Sequence, residues 1–306
     1  MTRALAIVAA GVAAVWGAAS LLSPAAQTAA FNGDRAFEHL KALVAIGPRP
    51  AGSAQIRQAR AYITRQLSAI GLQVQEQPFM ADTPVGRVDM ANLIVRLPGR
   101  RPDRILFTGH YDTKLFRDQV FVGASDGGSS AAFLIELARA LSTRTLEYTT
   151  ELVWFDGEEA VLDWVTGGRD HTYGSRFYVQ DAGKAGTLTS IRAMVLVDMI
   201  GDRDLTIRRD AMSTPWLTDL VWAAARRAGH GRVFVDEATE IDDDHIPFIQ
   251  AGVPAVDIID LDYPAWHTPD DNLDHVSARS LQVVGDVVLA ALPDLEQRLQ
   301  SGRDQP

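Results

Sequence analysis

The sequence predicts an α/β fold: a single globular domain with a central mixed, mostly parallel sheet flanked by helices. Three observations carry this. Short runs of branched apolar residues alternate with longer segments of helical period. The apolar runs end in ionisable residues, as strands do in open α/β sheets whose ligands bind beyond the carboxyl ends. No internal repeat or low-complexity stretch breaks the pattern after residue 30. A chain of 306 residues buries roughly three-quarters of its unfolded surface, so one core suffices without covalent staples.

The elements follow in chain order. Over 34–46, Phe37, Leu40, Leu43 and Val44 recur at helical spacing, and Gly47-Pro48 closes the helix. A second helix over 53–71 sets Ile56, Ala59, Ile63, Leu67 and Ile70 on one face. Segments 72–79 and 90–97 alternate like half-buried strands. The apolar runs 104–109 and 151–155 are buried strands separated by a helix over 129–141. Helix 173–181, strand 193–197, helix 215–228, short helix 246–251 and strand 255–259 come next. A long helix over 277–299 closes the chain, and Pro293 is expected to kink or interrupt it. The connections 156–173 and 236–244 are unusually long and polar, the type of loop that carries function in a compact domain.

Composition removes whole classes of function. Lys and Arg total 29 against 39 Asp and Glu, a net charge of −10 with no basic stripe, so nucleic acid is not the expected partner. The absence of cysteine excludes disulfides, thiolate metal sites, cysteine nucleophiles and lipid-modified cysteine. Residues 1–30 read as a signal peptide or N-terminal anchor: Arg3, an apolar run over 4–22, then small residues Thr28-Ala29-Ala30. The expected organisation is this leader followed by a catalytic domain over 31–306. The protein is expected to be exported, periplasmic or secreted, and monomeric. It would touch a membrane only if the leader stays uncleaved.

Ionisable residues cluster at the strand ends. Strand 104–109 runs into His110-Tyr111-Asp112, strand 151–155 into Asp156-Gly157-Glu158-Glu159, and strand 193–197 into Asp198. Strand 255–259 leads towards Trp266-His267-Thr268, and Asp126 precedes the helix that starts at 129. Taken singly, Asp126 suits a helix cap, Glu158-Glu159 a solvated turn and His267 a surface histidine. Together, at successive strand ends, they converge on one rim. Imidazoles among carboxylates suit a divalent cation with nitrogen and oxygen ligands, most often zinc. One of Glu158 and Glu159 can ligate while its neighbour moves protons. Asp112 is placed to orient the His110 ring.

These residues resemble the M28 zinc aminopeptidase family, and more closely its glutaminyl-peptide cyclotransferase branch, over about residues 34–295. Marks of the family at large are Gly47-Pro48-Arg49-Pro50-Ala51-Gly52-Ser53, Gly109-His110-Tyr111-Asp112, Gly123-Ala124-Ser125-Asp126, Glu158-Glu159 and His267-Thr268. The cyclase-like marks are Phe155-Asp156-Gly157-Glu158-Glu159-Ala160 with Trp164 and Tyr173-Gly174-Ser175-Arg176, then Asp243-Asp244-His245-Ile246-Pro247-Phe248, Trp266 and Lys114. The resemblance implies a zinc exopeptidase-type fold with one zinc on Asp126, Glu159 and His267. It implies Glu158 as acid/base, Asp198 and Asp244 in a carboxylate network with it, and Trp164 and Trp266 as pocket walls. The implied substrates are peptides or proteins with N-terminal glutamine, converted to pyroglutamate with loss of ammonia. The alternative is a di-zinc aminopeptidase, with His110 and Asp198 holding a second zinc and Asp126 bridging. A fold that has kept no activity is disfavoured, because no ligand or base is missing.

Overall fold

A computed structural model describes residues 29–302; the leader read over 1–30 lies, except for Ala29 and Ala30, outside the described residues. Among the described residues no helix is long and apolar enough to cross a membrane.

Helices α1 (Gly33–Ile46) and α2 (Ala54–Ala69) open the domain, each started by a polar cap. The Asn32 side chain accepts from the Arg35 amide at 2.9 Å and Ser53 from the Ile56 amide at 3.0 Å, which satisfies donors the first helical turn leaves free. Strands β1 (Val74–Thr83) and β2 (Gly86–Leu97) form an antiparallel hairpin, longer than the alternation alone indicates. Next come β3 (Arg101–His110), α3 (Ser130–Ser142), β4 (Tyr148–Phe155), α4 (Tyr173–Lys184) and β5 (Ile191–Asp198). The chain then runs through β6 (Ile207–Asp210), α5 (Pro215–Arg227), β7 (Phe234–Thr239), α6 (Ile246–Gln250), β8 (Ala255–Ile259) and α7 (Ala278–Ser301).

The six-stranded sheet has the order β1-β2-β4-β3-β5-β8. Strands β4, β3, β5 and β8 are mutually parallel, and the β1–β2 hairpin adds to β4 antiparallel, so the sheet is mixed as expected. Both faces are covered. Leu93, Phe107, Trp154, Val195 and Ile258 face the core under α1, α3, α5 and α7; Ile94, Leu106, Val153, Met194 and Leu196 face α4 and α6. Side chains of a strand alternate in direction, so strands buried on both faces read as nearly continuous apolar runs.

Two expectations change. Strands β6 and β7 form a separate parallel pair: β7 runs into the connection expected over 236–244, and the four residues of β6, Ile-Arg-Arg-Asp, are too few to show a period. Helix α7 runs through Pro293 as one helix from Ala278 to Ser301. Its apolar face, Leu281, Val284, Val288, Leu292 and Leu295, is buried along its length, and that packing outweighs the local penalty of proline.

Candidate active site

The four parallel strands end side by side and carry the site. His110 is the last residue of β3, Asp198 the last of β5, and Glu158-Glu159 follow the end of β4. His267 lies on the connection after β8, and Asp126 on a distorted turn over Ala124–Ser129 ahead of α3. His110, Asp126, Glu158, Glu159 and Asp198 are buried, and His267 is partly open.

Asp126 is the hinge of the arrangement. Its Oδ1 lies 3.2 Å from His110 Nε2, and its Oδ2 lies 3.4 Å from His267 Nε2. His267 Nε2 is also 3.3 Å from Glu159 Oε1, and His110 Nε2 is 3.0 Å from Asp198 Oδ1. Two groups able to hold a cation result, Asp126–Glu159–His267 and His110–Asp126–Asp198, each with its ligand atoms within 4.8 Å of one another. Asp126 does not cap α3. Its Oδ2 is buried with no hydrogen-bond partner, an acceptor directed at the first group. A tetrahedral zinc with bonds of about 2.0–2.2 Å needs ligand atoms roughly 3.3–3.6 Å apart, and the two separations at His267 meet that test.

The backbone is bent to make this fit. His267 and Met199, next to Asp198, have φ of 55° and 48°, in the left-handed region that non-glycine residues enter only when their surroundings enforce it. Gly127 has φ of 73°, and a Cβ there would stand 2.2 Å from the Asp112 carbonyl oxygen and 2.9 Å from the His110 ring. Only glycine lets the Asp126 turn approach His110 this closely. Behind the turn, Asp271 accepts from the Ser125 and Asp126 amides at 2.7 and 3.1 Å. Fully buried Arg49 donates to the carbonyls of Tyr111 (2.8 Å), Val122 and Gly123 (2.9 Å). Asp112 accepts from the Glu158 and Glu159 amides at 3.2 and 3.3 Å and lies 3.4 Å from His110 Nδ1, so it holds both β-strand ends at once.

Burial and mutual repulsion shift the titration of the cluster. Burial, then Asp243, Glu159 and Asp244, raise Glu158 well above the ordinary carboxylate range against the pull of His110. Burial and Asp126 push Glu159 up to about 7. Burial and then Asp198 and Asp244 raise Asp243 well up. Burial opposes a charge on His267, but the facing carboxylates of Asp126 and Glu159 raise it to about 10. Crowded buried carboxylates hold protons that an isolated carboxylate would release.

These residues open onto a cleft of about 170 Å³ lined by Asp126, Glu158, Glu159, Asp198, Trp164 and Trp266, together with residues of the 240–243 segment. Trp266 is 44 % exposed and stacks on His267, with centroids 4.4 Å apart. Both tryptophans expected as walls therefore line the cleft. Asp244, expected in a carboxylate network with Glu158, lies outside the lining, and its Oδ1 accepts from Ser175 Oγ at 2.5 Å; its charge still contributes to the rise of Glu158. The residues of the acidic run that line the cleft are Asp242 and Asp243. Three consecutive aspartates show no period that tells which of them face the site; the turn into α6 decides it.

The model of peptidase family M28 matches residues 92–292. The chain is 31% identical over 258 residues to the glutaminyl-peptide cyclotransferase-like protein of Bos taurus, covering 75% of this chain and 67% of that protein. It is similar to the crystal structure of an Acidobacteriales bacterium glutaminyl cyclase, with a TM-score of 0.85, 40% identity, and 90% and 99% of the two chains covered. A Bacteroides thetaiotaomicron structure described as a leucine aminopeptidase precursor superposes with a TM-score of 0.80 at 27% identity, over 87% and 98% of the chains. The ordered strand-end residues, the cleft they share and these similarities agree: the chain belongs to peptidase family M28.

Proposed function

We propose that this protein is a zinc-dependent glutaminyl-peptide cyclotransferase that converts the N-terminal glutamine of peptides or proteins to pyroglutamate and releases ammonia. The observation that carries the reading is the cleft itself. Two tryptophans flank the Asp126–Glu159–His267 group, and the proton-holding carboxyls Glu158 and Asp243 stand beside it. Its volume is below the ~300–1,000 Å³ of sites for drug-sized ligands and suits a single terminal residue.

Asp126, Glu159 and His267 would hold one zinc, which supplies a Lewis acid for the side-chain carbonyl of the glutamine. The glutamine α-amine nitrogen bonds to that carbonyl carbon, and the bond from the carbon to the side-chain amide nitrogen breaks. Glu158 takes the proton from the amine and delivers it to the departing ammonia. Its raised proton affinity suits a base that works near neutrality. Asp243, raised by burial and its acidic neighbours, shares the proton load beside it. Trp164 and Trp266 keep water from the carbonyl, which favours ring closure over hydrolysis. The nucleophile is tethered to its target, so little entropy is lost on the way to the transition state.

A di-zinc aminopeptidase is the second reading, favoured by the group His110–Asp126–Asp198. Against it, His110 Nε2 stands 3.0 Å from Asp198 Oδ1 and 3.2 Å from Asp126 Oδ1, closer than the roughly 3.3–3.6 Å between two ligand atoms of a tetrahedral zinc. The N-terminal pattern supports export, with or without retention of the leader as an anchor.

The test incubates zinc-loaded protein with a peptide that begins in glutamine and a control that begins in leucine, read by mass spectrometry. Loss of one ammonia from the first peptide alone is expected. Loss of the first residue from either peptide establishes the aminopeptidase instead.

A further inference from the structure

The connection between β4 and α4 is a closed loop, not a loose excursion. The Thr172 amide donates to the Glu158 carbonyl at 2.7 Å and the Tyr173 amide to the Gly157 carbonyl at 2.8 Å, so its two ends meet beneath Glu158. Thr172, at that junction, has φ of 50°. Asp170 accepts from the Val161 and Leu162 amides at 3.2 and 2.8 Å and from the Tyr173 hydroxyl at 2.6 Å. Lys114 Nζ donates to the Ala160 and Leu162 carbonyls at 2.5 and 2.8 Å.

Inside this frame His171 is buried and makes the contact that orients a cleft wall. Its ring stacks on Trp164, with centroids 4.0 Å apart and planes 19° apart. Its Nε2 donates to the Val165 carbonyl at 3.2 Å, which leaves Nδ1 to accept from the Thr172 hydroxyl at 3.3 Å. Across the cleft, Asp242 Oδ2 accepts from the Gly167 amide at 2.7 Å and lies 3.9 Å from His171 Nε2. The loop tip holds Gly167 and Gly168, and Leu162 and Val165 are exposed, so the tip has little packing of its own. With one face of Trp164 covered by His171, the position of the imidazole sets what the indole offers the cleft.

We propose that His171 is a positioning residue for substrate binding: it sets Trp164 against the cleft, and Asp242 latches the loop that carries both. This inference rests on the cleft as the site of an N-terminal glutamine residue. His171→Ala removes the stack, His171→Phe keeps a flat ring in its place, and Asp242→Ala removes the latch. Steady-state kinetics on a glutamine-initiated peptide and amide hydrogen exchange over 158–172 provide separate readouts. His171→Ala is expected to raise KM about three- to tenfold, the loss of one aromatic stack, with kcat within about twofold. His171→Phe is expected to restore KM. Exchange over 163–168 is expected to rise at least about fivefold in His171→Ala and in Asp242→Ala. Unchanged exchange in both variants, a fall in kcat at constant KM, or failure of phenylalanine to restore KM overturns the proposal. Wild-type protein that leaves the peptide intact defeats the cyclase reading, and exchange then decides the positioning role alone. Should His171→Ala fail to fold, Asp242→Ala decides it by the same exchange measurement.

Discussion

Individual side chains at this site act through charge and protons. Glu158→Gln keeps the shape but cannot move a proton, so turnover should fall at least about a hundredfold with zinc content unchanged. Elemental analysis beside the peptide assay separates the two roles, and activity near that of the wild type would remove Glu158 from acid/base chemistry. His267→Ala should lose the zinc itself. A different effect is expected at Asp257, fully buried with both carboxylate oxygens unpartnered and His245 Nδ1 3.9 Å away. Burial, then Asp243, Asp210, Asp198 and Asp244, raise it well above its ordinary value. A folded-state pKa above the unfolded ~3.9 means that the native form keeps a proton the unfolded chain has lost. Its contribution to stability is full below pH ~4 and is lost as pH rises through the raised value. Asp257→Asn stays neutral at every pH. Its melting temperature should exceed that of the wild type by a few degrees at pH 8, on the order of 1 kcal/mol, and match it near pH 4. At this scale the sequence was partly legible. The strand-end motifs marked His110, Asp126, Glu158, Glu159, Asp198 and His267, each at a break between an apolar run and a polar one. Asp243 stands in a motif without a role of its own, and Asp257 and His171 go unmarked, because their importance lies in what faces them, and no local pattern encodes that.

Among the elements, helix α7 offers a case where propensity and packing oppose each other. Gly285 lies inside it, where alanine would normally be favoured by about 0.8–1 kcal/mol. A Cβ there would stand 2.3 Å from the Phe31 ring, which is itself packed on Phe133 with centroids 4.8 Å apart. Overpacking costs about 1–3 kcal/mol and should win, so Gly285→Ala is expected to lower the urea midpoint with an unchanged slope. Removing Arg49 should cost more. Arg49→Ala leaves two buried carbonyls, of Tyr111 and Gly123, and the part-buried carbonyl of Val122 without this donor, with an expected loss of about 3–5 kcal/mol and weaker zinc retention. Helices and central strands were legible as elements because each buries a face with its own period. The β6–β7 pair was not, because strands of four and six residues are too short to display such a period.

The whole molecule should respond to its metal. Chelation is expected to lower the melting temperature, and zinc at a hundred times its dissociation constant to restore about 2.7 kcal/mol, read by calorimetry with and without added zinc. An unchanged transition would show that the Asp126–Glu159–His267 group holds no ion in solution. By itself the sequence determined the α/β class, the alternation of strands and helices, and the polar residues at the strand ends. Those features follow from hydrophobic period and local turn chemistry, both written within a few neighbouring residues. Only the tertiary structure decided that Asp126 faces both histidines, that Asp243 and not Asp244 lines the cleft, and that Trp164 stands on His171. These depend on how distant segments approach once the parallel strands align and the backbone is forced into left-handed turns at Met199 and His267. Contact between residues far apart in the chain is set by the global packing minimum, which no local window of sequence contains.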